Sequence, residues 1–440
     1  MSHIELCLAS RSFYPVFSGV GLRFLRYLPG LKERGIHTRV LTGTPISHKA
    51  KSSGIDSAWQ GYRPGDLLPP RMVDDVPVYT VRLPDTGVSR RVFIYGRTLA
   101  RFCKLPDYHP DLVQILSLPL WATPWLLELR RLNIPTVFTY SLTQELSSNP
   151  VKRNIQRLYQ RLPLQTVDHV VVSSMVVRDR VERLGVSTPM SVIPHGVDLK
   201  RFRPPATNAE RQKMRQTLGI DETAPIIVTV GGVSPRKGTD LLLSAWRQLA
   251  PKCPDSHLVI VGPRHDLADS NLEWFRRKLQ DLISLSGAPD RIHFVGLVEN
   301  VEEYLQAADL FVFTSLREGM PNAVLEAMAT GLPVITTPFL GFPDEFGRPG
   351  EQFFLIDRDP GSLADLVERL LQDKSLRAMP GQSGLRWVKS QMSLETSLDQ
   401  YADLYRALAG RYGAQKTRKD DGISGPNHNA SGREENSPIW

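Results

Sequence analysis

Two carboxylates, Glu318 and Glu326, flank the predicted start of a helix and have seven residues between them. The helix is predicted to begin near Pro321, because proline is favoured at the first helical position. Its first-turn amides, around Asn322 and Ala323, have no partners within the helix, and with the helix dipole they can bind an anion such as phosphate. The residues therefore predict a ligand site at the carboxyl edge of a sheet. The alternative is that Glu318 caps the helix and Glu326 lies on a solvated face.

A second candidate site is the glycine-rich turn in TVGGVSPRKGTDLL, which follows another predicted strand. Arg236 and Lys237 stand beside Gly238, where cationic side chains and backbone amides can hold a phosphate. The turn is not a P-loop, because that motif has the order Gly-Lys-Ser/Thr and here the order is Lys-Gly-Thr. A surface turn is the alternative interpretation.

A third glycine-rich loop, FYPVFSGVGLRF, follows the first predicted strand. Gly19 and Gly21 would let a ligand approach the backbone closely. The dinucleotide-binding fingerprint is absent, because no G-x-G-x-x-G follows and no acidic residue stands at the required distance.

Short apolar strands that alternate with helices must position these three turns. Runs such as IIVTV, HLVIV and LFVFT are apolar without alternation, which is typical of strands buried on both faces of a parallel sheet. Strand–helix alternation indicates βαβ units, so the predicted fold class is α/β with two doubly wound parallel sheets. The eleven predicted strands are His3–Leu8, Thr38–Leu41, Val76–Arg82, Leu112–Leu116, Thr136–Thr139, His169–Ser173, Ile226–Val230, His257–Val261, Ile292–Val295, Leu310–Thr314 and Pro333–Thr336.

The domain boundary is predicted within PHGVDLKRFRPP, which is dense in proline and charge. It divides the chain into residues 1–197 and 198–392, each of ordinary domain size. A helix is predicted at 393–412, and the polar segment 413–440 is predicted to be disordered.

Two local features of the first domain also stand out in the sequence. The polar stretch Lys49–Asp75 is predicted to be a mobile loop. Pro29 interrupts the first helical pattern, so we expect a short helix that ends near Leu28, followed by another turn to Arg34.

The composition is that of a globular protein and excludes collagen, coiled coil and wholesale disorder: of 440 residues, 41% are apolar and 23% are charged. Residues 1–200 carry 26 Lys and Arg against 15 Asp and Glu, a surplus of +11, whereas the remainder carries −3. No stretch approaches the roughly 18–20 apolar residues of a membrane-spanning helix, and the N-terminus is not expected to be a signal peptide. Three scattered cysteines argue against a disulfide framework or a zinc site and fit a reducing cytoplasm.

Taken together and in this order, the motifs resemble the retaining, nucleotide-sugar-dependent glycosyltransferases of the GT-B fold known as the glycosyltransferase 4 group. The segment EGMPNAVLEAMATGLPVI is similar to the family's E-x7-E motif, and GGVSPRKGTDLL is similar to its glycine–lysine loop. The stretch SSMVVRDRVERLGVSTPMSVIPHGVDLKRFRP resembles the one that closes the first domain. The resemblance spans His3 to about Arg411 and implies two Rossmann-like domains facing across a cleft, with the helix at 393–412 crossing back to the first.

The resemblance also implies roles for individual residues. Glu318 would hold the donor-sugar hydroxyls and Lys237 would neutralise the diphosphate, so these two are the implied catalytic residues. Glu326 would bind the ribose hydroxyls. The other donor-binding residues implied are Arg236, Gly232, Gly319, Met320, Asn322, Ala323, Gly296 and Val298, and those on the acceptor or diphosphate side are Gly19, Val20 and Ser141.

This sequence departs from the family pattern at two positions. The family often has Gly-Arg where Gly231 and Gly232 stand, and a histidine where Ser141 stands. Our hypothesis is that Arg236 supplies the missing positive charge.

The implied activity is transfer of a hexose from a nucleotide-diphosphate sugar to a hydroxyl acceptor with retention of configuration, in polysaccharide, glycolipid or cell-envelope glycan synthesis, without a metal or other cofactor. The expected partners are the nucleotide-sugar donor and a sugar or lipid-linked acceptor, and nucleic acid is not expected. The basic first half, with cations in its first helix at Arg23, Arg26, Lys32 and Arg34, fits an anionic membrane surface. The protein would be cytoplasmic or peripheral at the inner face of the membrane. The alternatives are a catalytically impaired member that acts as a binding or regulatory partner, and a GT-B nucleotide-sugar isomerase.

Overall fold

The computed structural model describes residues 3–13, 19–44, 61–116, 123–140, 148–342 and 346–421, with side chains described except at 268 and 413–421. These residues form two sheets, the first between Ile4 and Val192 and the second between Ile226 and Leu355. The predicted boundary at 197/198 lies in the segment that joins the two sheets. We call each sheet with its helices a lobe.

The first sheet has eight strands in the order β3-β4-β2-β1-β5-β6-β7-β8. Every pair is parallel except β3 with β4, which is antiparallel. The strands are β1 Ile4–Ser10, β2 Ile36–Gly43, β3 Leu67–Val73, β4 Val76–Val81, β5 Leu112–Ile115, β6 Thr136–Tyr140, β7 His169–Val172 and β8 Met190–Val192. The helices are α1 Gly19–Glu33, α2 Val88–Phe102, α3 Thr123–Arg131, α4 Pro150–Thr166 and α5 Met175–Arg183.

The second sheet has six strands in the order β11-β10-β9-β12-β13-β14, and all of its pairs are parallel. The strands are β9 Ile226–Val230, β10 His257–Val261, β11 Ile292–Gly296, β12 Leu310–Phe313, β13 Val334–Thr336 and β14 Phe354–Leu355. The helices are α6 Asn208–Thr217, α7 Thr239–Leu249, α8 His265–Ala268, α9 Glu273–Ser284, α10 Val301–Ala307, α11 Asn322–Ala329, α12 Pro360–Gln372 and α13 Lys374–Gln391. A final helix, α14, spans Leu394–Asp421.

Both faces of each sheet are covered, which explains why the strands are apolar without alternation. In the first lobe, α1 and α14 bury one face, while α2, α3 and α5 bury the other. In the second lobe, α7, α9 and α12 cover one face, and α10, α11 and α13 cover the other. The α14 helix packs on α1, and the Tyr405 hydroxyl donates to Gln114 Oε1 of β5 at 2.8 Å. Of the described residues, none form a helix that could cross a membrane.

The predicted α/β class is confirmed, and all eleven predicted strands are present. Strands β3, β8 and β14 were not predicted. Strand β3 lies inside Lys49–Asp75, so the predicted loop is wrong for that part, and residues 45–60 lie outside the described ranges. Two prolines made this strand hard to recognise, but an edge strand tolerates proline because its outer amides need no partner.

The first helix also differs from the prediction, because α1 continues through Pro29 to Glu33. Leu28, just before the proline, and Leu31, two residues after it, are buried. Leu398 of α14 packs so closely on Gly30 that a Cβ there would overlap it. Tertiary packing therefore outweighs the local cost of proline in this helix. At the other end of the chain, α14 extends to Asp421, beyond the predicted helix end at 412, and 422–440 lie outside the described residues.

Candidate functional site

The two turns that carry the strongest motifs are brought together by the strand order of the second sheet. Strands β9 and β12 are neighbours. The strand order switches between them: β10 and β11 follow on one side of β9, whereas β13 and β14 follow on the other side of β12. In open α/β sheets this is where ligands bind, beyond the carboxyl ends of the strands. The Leu316 amide donates to the Arg236 carbonyl at 2.8 Å, and the Thr314 hydroxyl donates to the Lys237 carbonyl at 3.1 Å.

A charged cluster forms between these turns, which we call the Lys237 cluster: Lys237, Arg236, Glu318 and Ser315. Lys237 Nζ lies 2.7 Å from Glu318 Oε1, and Arg236 Nη1 lies 2.8 Å from the same oxygen. The Ser315 hydroxyl donates to that oxygen at 2.6 Å. Burial lowers the pKa of Lys237, and the neighbouring Glu318 carboxylate opposes that shift. With two cations on one carboxylate, the cluster has a net positive charge and can attract an anion.

Gly238 fixes the turn that carries Lys237. Its φ is +67°, a left-handed conformation that favours glycine, and it precedes α7. A Cβ added there would overlap the carbonyl oxygen of Thr314. Only glycine therefore lets the two turns approach this closely.

A cavity of about 300 Å³ lies between the two lobes. It is lined by a glycine, two cations and an aromatic ring of α1, and by a carboxylate and an amide side chain of α11. Its principal lining residues are Gly19, Arg23, Arg26, Tyr27, His195, Arg201, Asn322 and Glu326.

Glu326 lies in this cavity on the second turn of α11. Its side chain is 15% exposed, and Arg26 Nη1 of the first lobe lies 3.5 Å from its Oε1. Burial raises the pKa of Glu326, while the positive charge of Arg26 opposes the shift. A carboxylate held beside Arg26 and Arg201 in a cavity can accept hydrogen bonds from ligand hydroxyls.

His195, which was not among the predicted site residues, also lines the cavity. Its Nδ1 lies 2.7 Å from Asn322 Oδ1. Burial, together with the nearby charge of Arg23, holds the pKa of His195 well below its usual range, so the ring is neutral. Because an amide oxygen only accepts, Nδ1 donates and Nε2 carries the lone pair. Nε2 is buried without a hydrogen-bond partner among the described residues, so it can accept from a ligand hydroxyl. The available signal was a histidine just after β8, inside PHGVD.

The structure joins the predicted residues into two groups, not one. Lys237 and Arg236 form ion pairs with Glu318. Asn322 and Glu326 instead line the cavity between the lobes, together with Gly19. Lys237 also lines a separate small cavity with Phe313 and Gly231.

One expected anion donor is occupied in the structure. The Asn322 amide donates to the Met320 carbonyl at 3.1 Å, so the prediction of a free amide there is wrong. Ala323 is half-buried beside it, and Met320 itself is buried.

The remaining predicted residues are more scattered. Gly232 lies against the His265 ring, and Gly296 ends β11 with a φ of +83°. Val298 packs on the core of the second lobe, and Val20 packs on that of the first. Gly319 lies in the loop between Glu318 and α11, and Ser141 is outside the described residues. Within the described part of the chain, no three His, Cys, Asp or Glu side chains are grouped as metal ligands.

Comparison with known families separates the chain into the same two halves. Residues 18–196 match the model described as "Glycosyl transferase 4-like domain". Residues 210–387 match the model described as "Glycosyl transferases group 1".

Curated relatives of this chain include two bacterial mannosyltransferases. One is the lipopolysaccharide core biosynthesis mannosyltransferase LpsB of Rhizobium meliloti, 31% identical over 51% of this chain and 62% of its own length. Another is the GDP-mannose-dependent monoacylated alpha-(1-6)-phosphatidylinositol monomannoside mannosyltransferase of Corynebacterium glutamicum, 30% identical over 51% of this chain and 58% of its own length. The match thus spans about three fifths of each relative.

Solved structures with the same fold cover nearly the whole chain. Anabaena Alr3699/HepE, solved in complex with UDP and glucose, superposes with a TM-score of 0.69 at 18% identity, over 92% of this chain and all of that one. Sucrose-phosphate synthase from Thermosynechococcus elongatus superposes with a TM-score of 0.72 at 23% identity, over 93% of this chain and all of that one. These similarities show the GT-B fold.

Proposed function

Because the chain belongs to the group 1, or family 4, glycosyltransferases and has the GT-B fold, we propose that it transfers a sugar from a nucleotide-diphosphate sugar to a hydroxyl group of an acceptor. The observation that carries the proposal is the Lys237 cluster at the switch point of the second sheet. Two cations share one carboxylate oxygen there, at 2.7 and 2.8 Å.

In this proposal Lys237 and Arg236 stabilise the leaving diphosphate. Breaking the sugar–phosphate bond leaves a growing negative charge on the diphosphate and an oxocarbenium-like sugar. Cations fixed in place before the reaction stabilise that charge without reorganisation, which is commonly the largest catalytic term. The bonds from Lys237, Arg236 and Ser315 to Glu318 supply this fixed geometry. No metal ion is required, because the cations neutralise the diphosphate.

Glu318 and Glu326 bind different parts of the donor in this scheme. Glu318 lies beside the cations that hold the diphosphate, so it orients the sugar hydroxyls near the reacting carbon. Glu326 lies in the cavity between the lobes, where it accepts hydrogen bonds from the ribose hydroxyls. The acceptor attacks from the face that the diphosphate leaves, and the departing diphosphate takes up the acceptor proton. Configuration at the sugar carbon is therefore retained.

The donor and acceptor classes follow from the relatives. Two of them are named as mannosyltransferases, one of them GDP-mannose-dependent, and their names place them in lipopolysaccharide core and phosphatidylinositol mannoside synthesis. We therefore propose a hexose donor, with GDP-mannose first in order of testing, and a lipid-linked acceptor at the cytoplasmic face of a membrane.

Donor hydrolysis without acceptor tests the chemistry directly. The full chain is incubated with UDP-, GDP- and ADP-hexoses, and the released nucleoside diphosphate is measured by chromatography, while NMR reports the anomer first formed. Lys237→Ala is expected to lower the rate by about 10²–10³-fold, as for loss of one transition-state donor.

The matched control is Lys252→Ala, which also removes an ion-paired lysine. Lys252 binds Asp365 and Glu368 on α12, away from the site. Its rate should stay within about twofold of wild type, as for an exposed ion pair. Cleavage of no donor by the wild type, or wild-type rates for a folded Lys237→Ala protein, would refute the proposal. Release of the inverted anomer would refute retention alone.

A further inference from the structure

Helix α4, Pro150–Thr166, presents an apolar stripe to solvent. Its large apolar side chains recur at spacings of three and four residues, which places them on one face of a helix. The exposed fractions are 66% for Val151, 63% for Ile155, 56% for Leu158, 45% for Tyr159 and 40% for Leu162. Only Pro163 and Leu164 of this helix are buried. These five apolar side chains do not pack in the core, so the stability of the fold does not explain why they are apolar.

The rest of the helix is basic. It carries Lys152, Arg153, Arg157 and Arg161 and contains no Asp or Glu. An amphipathic helix that has an apolar stripe and whose charged residues are all basic is typical of helices that lie in the interface of an anionic bilayer.

Of the four cations that were predicted to face a membrane on the first helix, Lys32 is exposed and the other three are engaged within the protein. Arg23 is buried, and Arg26 points into the cavity beside Glu326. Arg34 is ion-paired with Glu395 and Asp399 of α14, both at 2.7 Å. Because α1 packs between the cavity and the last helix, these three cations already lie in contacts within the protein, and docking through α1 stays a prediction.

Resting on the proposed function, in which the acceptor is lipid-linked, we propose that α4 docks the protein on an anionic lipid bilayer. The apolar stripe enters the headgroup–acyl boundary, and the four cations contact anionic headgroups. Charge favours this occupant over a second copy of the chain, because two such helices would bring eight cations together. A single stripe of five side chains is also much smaller than the roughly 800 Å² per partner of a stable protein interface.

The position of α4 in the fold places the bilayer near the cleft. The helix follows β6, which is parallel to β1 in the first sheet. The amino end of α4 therefore lies at the same edge as Gly19, which lines the cavity between the lobes. A lipid-linked acceptor held in the bilayer would reach the cleft from this side.

Vesicle co-sedimentation of the full chain tests the proposal. The vesicles contain either phosphatidylcholine alone or equal parts of phosphatidylcholine and phosphatidylglycerol, at low and high salt. The wild type is expected to bind the anionic vesicles, more weakly at high salt, and Ile155→Glu/Leu158→Glu is expected to bind at least about tenfold more weakly. Lys152→Gln/Arg157→Gln/Arg161→Gln should lose the preference for anionic lipid.

The matched control, Leu285→Glu/Met379→Glu, changes two apolar residues of the second lobe that are 60% and 69% exposed. It should bind vesicles like the wild type. Failure of the wild type to bind anionic vesicles, or equal binding by Ile155→Glu/Leu158→Glu, overturns the proposal. A second result would also overturn it: without lipid, the wild type sediments as a dimer and Ile155→Glu/Leu158→Glu sediments as a monomer. The stripe would then be an interface between copies of the chain.

Donor hydrolysis separates this proposal from the proposed function. Ile155→Glu/Leu158→Glu should hydrolyse the nucleotide-sugar in solution at the wild-type rate, since α4 contributes no residue to either group of the candidate site. Vesicle binding by a wild type that cleaves no donor would refute the glycosyltransfer reaction and leave the docking surface standing.

Discussion

His195 Nδ1 donates a hydrogen bond to Asn322 Oδ1 over 2.7 Å, between residues that are 127 positions apart in the chain. The bond ties the segment after β8 to the first turn of α11, the helix that carries Glu326. It therefore joins two of the segments that line the cavity between the lobes, and it leaves the His195 Nε2 lone pair for a ligand.

Replacing His195 by Ala should weaken donor binding. The variant loses one buried hydrogen bond to Asn322 and one acceptor for the ligand, so KM for the donor should rise by about 5–30-fold. His195→Asn, which can still donate to Asn322, should recover part of the loss. Steady-state kinetics measure both effects.

The pH profile gives an independent check on His195. Since the pKa of His195 is well below its usual range, the ring stays neutral and should add no inflection to the donor KM between pH 6 and 8. His257→Ala, which breaks a 3.0 Å contact with His293 far from the cavity, should leave KM unchanged. An inflection that disappears in His195→Ala would contradict the neutral ring.

Replacing Glu326 by Gln should stabilise the fold and weaken donor binding. Burial raises the pKa of Glu326 in the folded state above its unfolded value. The ionised carboxylate therefore lowers the free energy of unfolding at neutral pH, and this cost is relieved as the pH falls through the folded pKa. Gln carries no charge, so the melting temperature at pH 7 should rise by about 1–4 °C.

The stabilisation by Glu326→Gln should shrink as the pH is lowered, because the wild-type carboxyl then becomes protonated. Glu273 is the matched control with the opposite sign, because the Arg277 guanidinium beside it lowers the pKa of that carboxyl. Glu273→Gln should not raise the melting temperature at pH 7. Calorimetric scans between pH 5 and 8 measure the trend, and a lower melting temperature for Glu326→Gln at pH 7 would contradict it.

Replacing Gly238 by Ala should distort the site. It should also lower the free energy of unfolding by more than left-handed backbone strain alone would. Gly219 provides the comparison, since its φ of +65° nearly equals the +67° of Gly238 but no atom lies within 4 Å of a Cβ added there. Gly219→Ala should cost about 1 kcal/mol of unfolding free energy and leave donor hydrolysis intact.

Gly238→Ala must also displace the Thr314 carbonyl, so its cost should reach about 3 kcal/mol and its hydrolysis rate should fall with the disturbed Lys237 cluster. Chemical denaturation measures the two unfolding free energies. Equal values for the two alanine variants would show that the close approach to Thr314 is unimportant.

Replacing Tyr405 by Phe should loosen the last helix from the first lobe. The buried Tyr405 hydroxyl donates to Gln114 Oε1, and the substitution leaves that acceptor buried without its partner. The expected loss is about 1–3 kcal/mol in unfolding free energy. Tyr159→Phe, at a position that is 45% exposed on α4, should lose almost nothing. A Tyr405→Phe protein as stable as wild type would mean that packing alone holds the helix.

Strand and helix positions were largely predictable from the sequence, because strands buried on both faces have a continuous apolar pattern. Strand β3 was missed because its LLPPRMV sequence contains two prolines, which are tolerated only at a sheet edge, and edge position is a property of topology. The continuous α1 was missed because the packing of Leu398 on Gly30 comes from the far end of the chain.

The candidate site was predictable at the level of turns but not of side-chain partners. The motifs identified Lys237 and Glu318 separately, yet their 2.7 Å contact depends on β9 and β12 being adjacent, which no local pattern reveals. The partnership of His195 with Asn322 and the exposure of the α4 stripe likewise depend on which surfaces the folded chain brings together. The roles assigned to Glu318, Glu326 and Lys237 in the reaction stay predictions.

The docking of α14 on the first lobe has a consequence for biosynthesis. Leu398, Tyr401 and Tyr405 complete the core that begins with Phe24 and Tyr27 of α1. A ribosome therefore finishes the second lobe before it supplies the missing wall of the first. Until then the nascent amino-terminal half exposes apolar core residues to solvent, so we expect it to need chaperones to avoid aggregation. Expression of that half by itself should yield aggregates instead of a folded domain.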